Sequence, residues 1–125
     1  MKKAFKIIGV LLLAIVLYLG FTNYPKLELI SGFSAKNVAS AHFIDKRSLD
    51  IIEKGDNDIK LIRLAKNTID ENQHFATSSV YGFQKRKAIY REGLGSLLID
   101  EDFDVSKPYL KPNRIQPKID LPYPF

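Results

Sequence analysis

The stretch IIGVLLLAIVLYLGF, residues 7–21, decides the fold, because it runs for 15 residues without a charged side chain. A helix rises about 1.5 Å per residue, so these residues cover roughly 22 Å of the roughly 30 Å hydrocarbon core of a bilayer. Residues 4–6 and Thr22 bring the segment near the ~20 residues that a span requires, with the Lys6 side chain reaching the head groups. The sequence therefore predicts a transmembrane helix and membrane contact through residues 4–22.

Three interpretations of this segment are open: an uncleaved signal-anchor, a cleaved signal peptide and the core helix of a soluble protein. Cleavage requires small residues just after the apolar run, but bulky residues occupy positions 22–26. We therefore expect an uncleaved anchor. Basic residues before a span favour a cytoplasmic amino terminus, which would place the body on the periplasmic or extracellular side of the cytoplasmic membrane; here they are Lys2, Lys3 and Lys6.

Charge and composition exclude several classes of function. The formal charge is +5, but three of the 19 basic residues precede the apolar run and the others nearly balance the 14 acidic ones. The basic pI is thus a targeting feature, and we expect no nucleic-acid partner. The chain contains no cysteine, which excludes a disulfide framework, a Cys-ligated metal and a thiol nucleophile. We expect no cofactor and no metal site.

The body of the chain reads as short helices followed by short strands. We expect Pro25 to end the anchor helix and Gly32 to interrupt the next segment. Short helices are predicted over residues 34–43 and 49–54, the second stopped by Gly55.

Residues 68–70, 75–81 and 87–91 have the alternation of antiparallel strands, and residues 97–99 form a last short apolar run. Gly93 is expected to take a left-handed conformation, as is Gly95. The predicted fold class is α+β: one N-terminal transmembrane helix, short helices, and an antiparallel meander of two or three strands. A sheet this small needs a covering partner, and we expect the chain to encode none.

Composition shifts after Val105, since five of the six prolines fall within the last 18 residues. Such a segment is extended and is neither a helix nor a central strand. We therefore divide the chain into a membrane anchor at 1–22, a small extracytoplasmic α+β module at 23–105, and a Pro-rich tail or linker at 106–125.

No catalytic constellation is evident. His42 and His74 are 32 residues apart and are interpreted as a packing or capping residue and a solvated turn residue. The acidic residues at 100–104 lack the glycine and the terminal glutamate of a calcium loop, and are interpreted as a solvated turn. No Gly-x-Ser-x-Gly and no Ser-x-x-Lys motif occurs. The chain by itself is therefore not expected to be an enzyme, and we predict no catalytic residue.

One basic cluster is a candidate for contact with a partner or with anionic lipid, because basic residues interleaved with aromatics favour such contacts. A charged solvent face on an edge strand explains the same residues. The cluster consists of Lys85, Arg86, Lys87 and Arg91, near Tyr81, Phe83 and Tyr90.

Residues 32–36, 43–48 and 88–95 (GFSAK, FIDKRS and AIYREGLG) resemble the region that precedes the catalytic domain in membrane-anchored or exported serine hydrolases. These enzymes form the 6-aminohexanoate-dimer hydrolase-like group of the beta-lactamase/penicillin-binding superfamily. The most specific part of the resemblance is the family-like turn, made of Tyr90, Arg91, Glu92, Gly93, Leu94 and Gly95.

The resemblance implies a non-catalytic module that anchors and braces a hydrolase, in a truncated form or as a separate chain. In such enzymes the Ser-x-x-Lys motif lies downstream, so no catalytic residue carries over, and the implied partner is a serine hydrolase catalytic domain. The alternative is a complete small single-pass envelope protein with an interaction role.

Overall fold

The computed structural model describes residues 1–113 and confirms the α+β class, with a long N-terminal helix, a short helix and an antiparallel sheet. Predictions for residues 114–125, most of the Pro-rich tail, lie outside the described residues. The elements are α1 (Lys2–Phe43), α2 (Leu49–Lys54), a 3-10 turn (Ile62–Leu64), β1 (Ala65–Asp70), β2 (Phe75–Val80), β3 (Phe83–Arg91) and β4 (Gly95–Ile99).

The first helix does not end where the sequence predicted. Helix α1 is 42 residues long and contains Pro25 in its interior. A proline inside a helix removes one backbone donor and usually kinks or ends it. Here the Thr22 hydroxyl and the Asn23 amide donate to the carbonyls of Tyr18 and Leu19, at 2.9 and 2.7 Å, just before the proline. The packing of the next turns on the sheet then holds the helix together, because tertiary contacts supply most helical stability in proteins.

Gly32 does not interrupt the helix either. A Cβ atom added there would lie 3.3 Å from the Leu98 side chain on β4. The glycine therefore lets α1 approach the sheet closely, and the prediction of a helix break was wrong.

The two halves of α1 have different environments. The apolar first half is exposed, and an 18-residue window of it reaches a mean hydropathy of 2.5 with none of it buried. By length and composition this helix could cross a membrane. Burial begins at Ile30 and continues to Phe43 along one side of the helix. One continuous helix thus serves as candidate anchor and as core element.

The sheet has four strands in the order β1-β2-β3-β4, and all neighbours are antiparallel. This exceeds the predicted two or three, because residues 95–99 pair along β3 from Arg91 to Lys87. Helix α1 covers one face of the sheet. Small buried residues face each other there, with Ala35 and Ala39 on the helix and Ala76 and Ala88 on the strands. The expectation that the chain encodes no covering layer was therefore wrong.

The end of the second helix and the two glycines of the β3–β4 turn are as predicted. Helix α2 has the predicted bounds and Gly55 follows it as the C-cap. The turn at 71–74 joins β1 to β2. Gly93 and Gly95 take φ values of 87° and 84°, in the left-handed region as expected.

Buried polar side chains connect α1 to the first two strands. The Asn67 side-chain carbonyl on β1 accepts hydrogen bonds from the hydroxyls of Ser34, at 2.6 Å, and Ser78. The Asn67 amide donates to Glu53 at 3.0 Å. The Asn57 amide donates to Ser34 at 2.9 Å. Buried polar groups are costly unless paired, so this network fixes the position of the helix over the sheet.

Candidate functional site: a clamp at the β3–β4 turn

The predicted basic cluster is divided between the two faces of the sheet, because successive side chains of a strand point to opposite faces. Arg86 lies on the side of α1, where its guanidinium pairs with Glu28 and lies 3.4 Å from Asp100. Lys85, Lys87 and Arg91 lie on the outer face. The structure thus leaves three of the four cluster residues on one surface and uses Arg86 inside the fold.

The outer face carries its own apolar cluster. Phe75, Ile89 and Ile99 are buried there, with Leu97 packed against them. The Lys87 ammonium lies 4.6 Å from the centroid of the Phe75 ring, in a cation–π contact. Lys87 therefore takes part in covering the sheet as well as presenting a charge to solvent.

Arg91 contacts the segment that follows strand β4. Its guanidinium lies 5.2 Å from the centroid of the Phe103 ring and 4.7 Å from that of Tyr109. It also donates to the carbonyl of Val105 at 3.4 Å. A guanidinium stacks on aromatic faces more readily than an ammonium does, so the residue type suits this contact.

Glu92 also binds the segment that follows strand β4, through its backbone and its side chain. The Tyr109 hydroxyl donates to the Glu92 backbone carbonyl at 3.0 Å, and the Lys111 ammonium lies 2.7 Å from the Glu92 carboxylate. A Cβ atom on Gly93 would lie 3.3 Å from the Pro112 ring. We call Arg91, Glu92 and Gly93, with the residues they hold at 103–112, the distal clamp.

The rest of the family-like turn supports the clamp. The Tyr90 ring stacks on Phe43 at the end of α1, with centroids 5.8 Å apart. The Leu94 amide donates to the Arg91 carbonyl at 3.0 Å, which closes the turn. Gly95 pairs with Arg91 at the start of β4. A cleft of about 590 Å³ lies beside the turn, between the end of β3 and the held segment.

The two histidines lie near this end of the molecule. His42 Nδ1 is 2.8 Å from the Arg47 carbonyl, and its Nε2 pairs with Glu71. The His74 ring is 5.4 Å from Phe43 and 6.3 Å from Tyr90. His42 therefore packs and caps, whereas His74 is an exposed residue of the turn at 71–74, as predicted. Among residues 1–113 no three His, Cys, Asp or Glu side chains form a group that could hold a metal ion.

The acidic turn after β4 directs the chain towards the clamp. The Asp104 carboxylate accepts from the Ser106 hydroxyl at 2.6 Å and from its backbone amide at 3.0 Å. These hydrogen bonds, with the hydroxyl contributing most, lower the pKa of Asp104. Such an Asx-type turn fixes the local backbone direction.

The ion pair of the clamp makes it sensitive to acid. The hydrogen bond from Lys111, and then its charge, hold the pKa of Glu92 below its ordinary value of 4.5. The same contact raises the pKa of Lys111 above 10.5. A lowered carboxyl pKa contributes stability above the ordinary pKa, and this is lost as pH falls through the lowered one. The pair therefore adds to the clamp at neutral pH and is lost in acid, while the contacts of Arg91 with Phe103 and Tyr109 do not depend on the Glu92 charge.

We expect Lys111→Met to raise the pKa of Glu92, because it removes both the hydrogen bond and the charge. The measurement is an NMR titration of the Glu92 side-chain carboxyl in the full chain in micelles. Lys107→Met, which removes a nearby lysine of the same cleft, is the matched control and should leave the midpoint unchanged. An unchanged midpoint in Lys111→Met would show that the two side chains do not pair.

Phe103, Tyr109 and Lys111 were not predicted as site residues. Tyr109 and Lys111 lie in the segment interpreted as an extended linker, and Phe103 lies in the stretch interpreted as a solvated acidic turn. No sequence pattern pairs either segment with a particular turn of the sheet. No family model matches the chain, and neither does any curated protein or solved structure.

Proposed function

We propose that this protein is a non-catalytic membrane-anchoring and bracing module for a beta-lactamase-like serine hydrolase domain. Residues 4–22 anchor it in the cytoplasmic membrane of a bacterial envelope, with the amino terminus inside and the body outside the cytoplasm. Hydrolase activity would come from a downstream or separate domain with a Ser-x-x-Lys motif.

The observation that carries the proposal is the continuity of α1. The helix runs from its exposed apolar half into the core of the sheet, without a linker between them. A rigid helix transmits position, whereas a flexible linker lets a domain swing. A continuous helix therefore suits a part that holds something at a fixed place relative to the membrane.

The distal clamp supports the bracing part of the proposal. Tyr24 and Phe43 are 19 residues apart on α1, or roughly 28 Å along the helix axis. Tyr90 and the clamp lie at the Phe43 end, far from the anchor. Residues 109–112 are held at the Phe43 end of the module, and the proposal places an attached domain at this end, away from the anchor.

The alternative is a small single-pass envelope protein with an interaction role, for which the outer-face residues Lys85, Lys87 and Arg91 favour an acidic partner or anionic lipid. The mass of the native protein separates a fused module from the alternative, and co-purification with a serine hydrolase separates a module that acts as a separate chain. A module fused to a hydrolase domain migrates several times heavier than the 14.2 kDa of this chain, whereas the small protein migrates near that mass.

A further inference from the structure

The hairpin between β2 and β3 presents two large aromatic side chains to solvent. Tyr81 is 73% exposed and Phe83 is 56% exposed. Val80 pairs with Phe83, so the loop consists of Tyr81 and Gly82 alone, with φ values of 51° and 80°. Such a two-residue turn prefers Asn and Gly. A tyrosine there takes an unfavourable backbone conformation and still exposes its ring.

This hairpin lies beside the membrane end of the module. The Phe83 ring packs edge-on against the Tyr24 ring of α1, with centroids 6.1 Å apart. Tyr24 is three residues beyond the last residue of the apolar run, or about 4.5 Å along the helix. The head-group layer of a bilayer is about 5–7 Å thick on each side. Phe83 is therefore at the level of this layer if α1 spans the bilayer.

The charges around these residues suit an anionic surface. Lys26 and Lys85 are exposed and lie beside the aromatic pair in sequence. The acidic residue that follows Tyr24 on α1 is neutralised, since Glu28 is paired with Arg86. Aromatic side chains at head-group level and lysines near an anionic lipid surface both favour the membrane interface.

We propose that Tyr81 and Phe83, flanked by Lys26 and Lys85, sit in the head-group layer of the bilayer that α1 crosses. This inference rests on the anchor of the proposed function. The module then has two attachments to one membrane, a span and a hairpin tip. Two attachments fix its tilt and rotation, and they hold the distal clamp at a constant height.

The absence of cysteine allows single labels to be placed without a background. The full chain is reconstituted into vesicles of phosphatidylcholine and phosphatidylglycerol, with an environment-sensitive fluorophore on Val10→Cys, Tyr81→Cys or Asn72→Cys. Position 10 reports the anchor, and position 72 lies in the exposed turn at the opposite end of the sheet. Nitroxide lipids quench the labels, with the nitroxide either on the head group or at the centre of the acyl chains.

The inference predicts that head-group nitroxide removes most of the emission of the label at 81 and leaves that at 72. It also predicts that acyl-chain nitroxide quenches the label at 10. If position 10 is quenched and position 81 behaves like 72, the hairpin lies above the interface and this inference is wrong, while the anchor stands. If position 10 is not quenched, the anchor itself is wrong and the inference with it.

A second variant tests the cause of any quenching at position 81. Phe83→Asp in the labelled Tyr81→Cys chain places a charge in the head-group layer without touching the buried core, since the Phe83 side chain is largely exposed. Emission at 81 is then expected to recover, with position 10 still quenched. Persistent quenching at 81 would mean that the aromatic side chains do not hold the hairpin in the head-group layer, and would overturn the inference.

Discussion

Oxidation of a Ser40→Cys/Ser96→Cys variant is expected to close a disulfide between α1 and β4 and to stabilise the module strongly. The two hydroxyl oxygens are in direct contact in the structure, and both side chains are partly buried. The crosslink joins residues 56 positions apart. A loop of that length gives about 4 kcal/mol by the chain-entropy estimate. This is a large share of the stability of a small domain.

The measurement is urea unfolding of the full chain in mild detergent, with and without reductant, after a non-reducing gel has shown that the thiols are oxidised. Ser40→Cys/Ser79→Cys is the matched control. The Ser78 side chain lies on the face covered by α1, where it binds Asn67. Ser79 is the next residue of the strand, so its side chain lies on the opposite, outer face of the sheet. The control pair should stay reduced. Free thiols in the 40/96 variant would contradict the packing of α1 across β4.

Asn67→Ala is expected to destabilise the module by about 3 kcal/mol, because each buried group left without a partner costs about 1–3 kcal/mol. The Asn67 carbonyl accepts from Ser34 and Ser78, and both serines are fully buried. Their hydroxyls would lose the acceptor that both use, and Glu53 would lose its donor. The loss is therefore larger than that of one side chain.

Asn72→Ala removes the same side chain from the exposed turn between β1 and β2 and should change stability by no more than about 0.5 kcal/mol. Urea unfolding of the two variants gives the difference in their free energies of unfolding, from the two midpoints and a common dependence on urea concentration. Equal midpoints for Asn67→Ala and Asn72→Ala would show that the buried network does not hold the helix on the sheet.

The continuity of α1 illustrates how far local sequence signals carry. Pro25 and Gly32 are both local signals to end a helix, and each was read that way. The helix passes through both because the turns after Pro25 pack on the sheet and because Gly32 lets α1 approach Leu98 closely. Only the fold brings residue 98 next to residue 32, so the reason for this glycine could not be read from the segment around it.

Strand β4 and the clamp show the same limit. The short run at 97–99 is not a strand on its own pattern, and it becomes one by pairing with β3. The left-handed glycines of the β3–β4 turn were predictable, because such a conformation is a local property. The aromatic residues that Arg91 holds were not predictable, since cation–π pairs 12 and 18 positions apart follow no fixed spacing.

The central claim is that this module anchors and braces a serine hydrolase domain, and the mass of the native protein in its own cells tests it most directly. An antibody against residues 56–74 is applied to a denaturing gel of alkaline-washed membranes, with a fluorescent serine-hydrolase probe on the same lanes. The account predicts a membrane-bound band several times heavier than 14.2 kDa that also carries the probe. A band near that mass, with no probe-labelled protein purifying with it, would contradict the account.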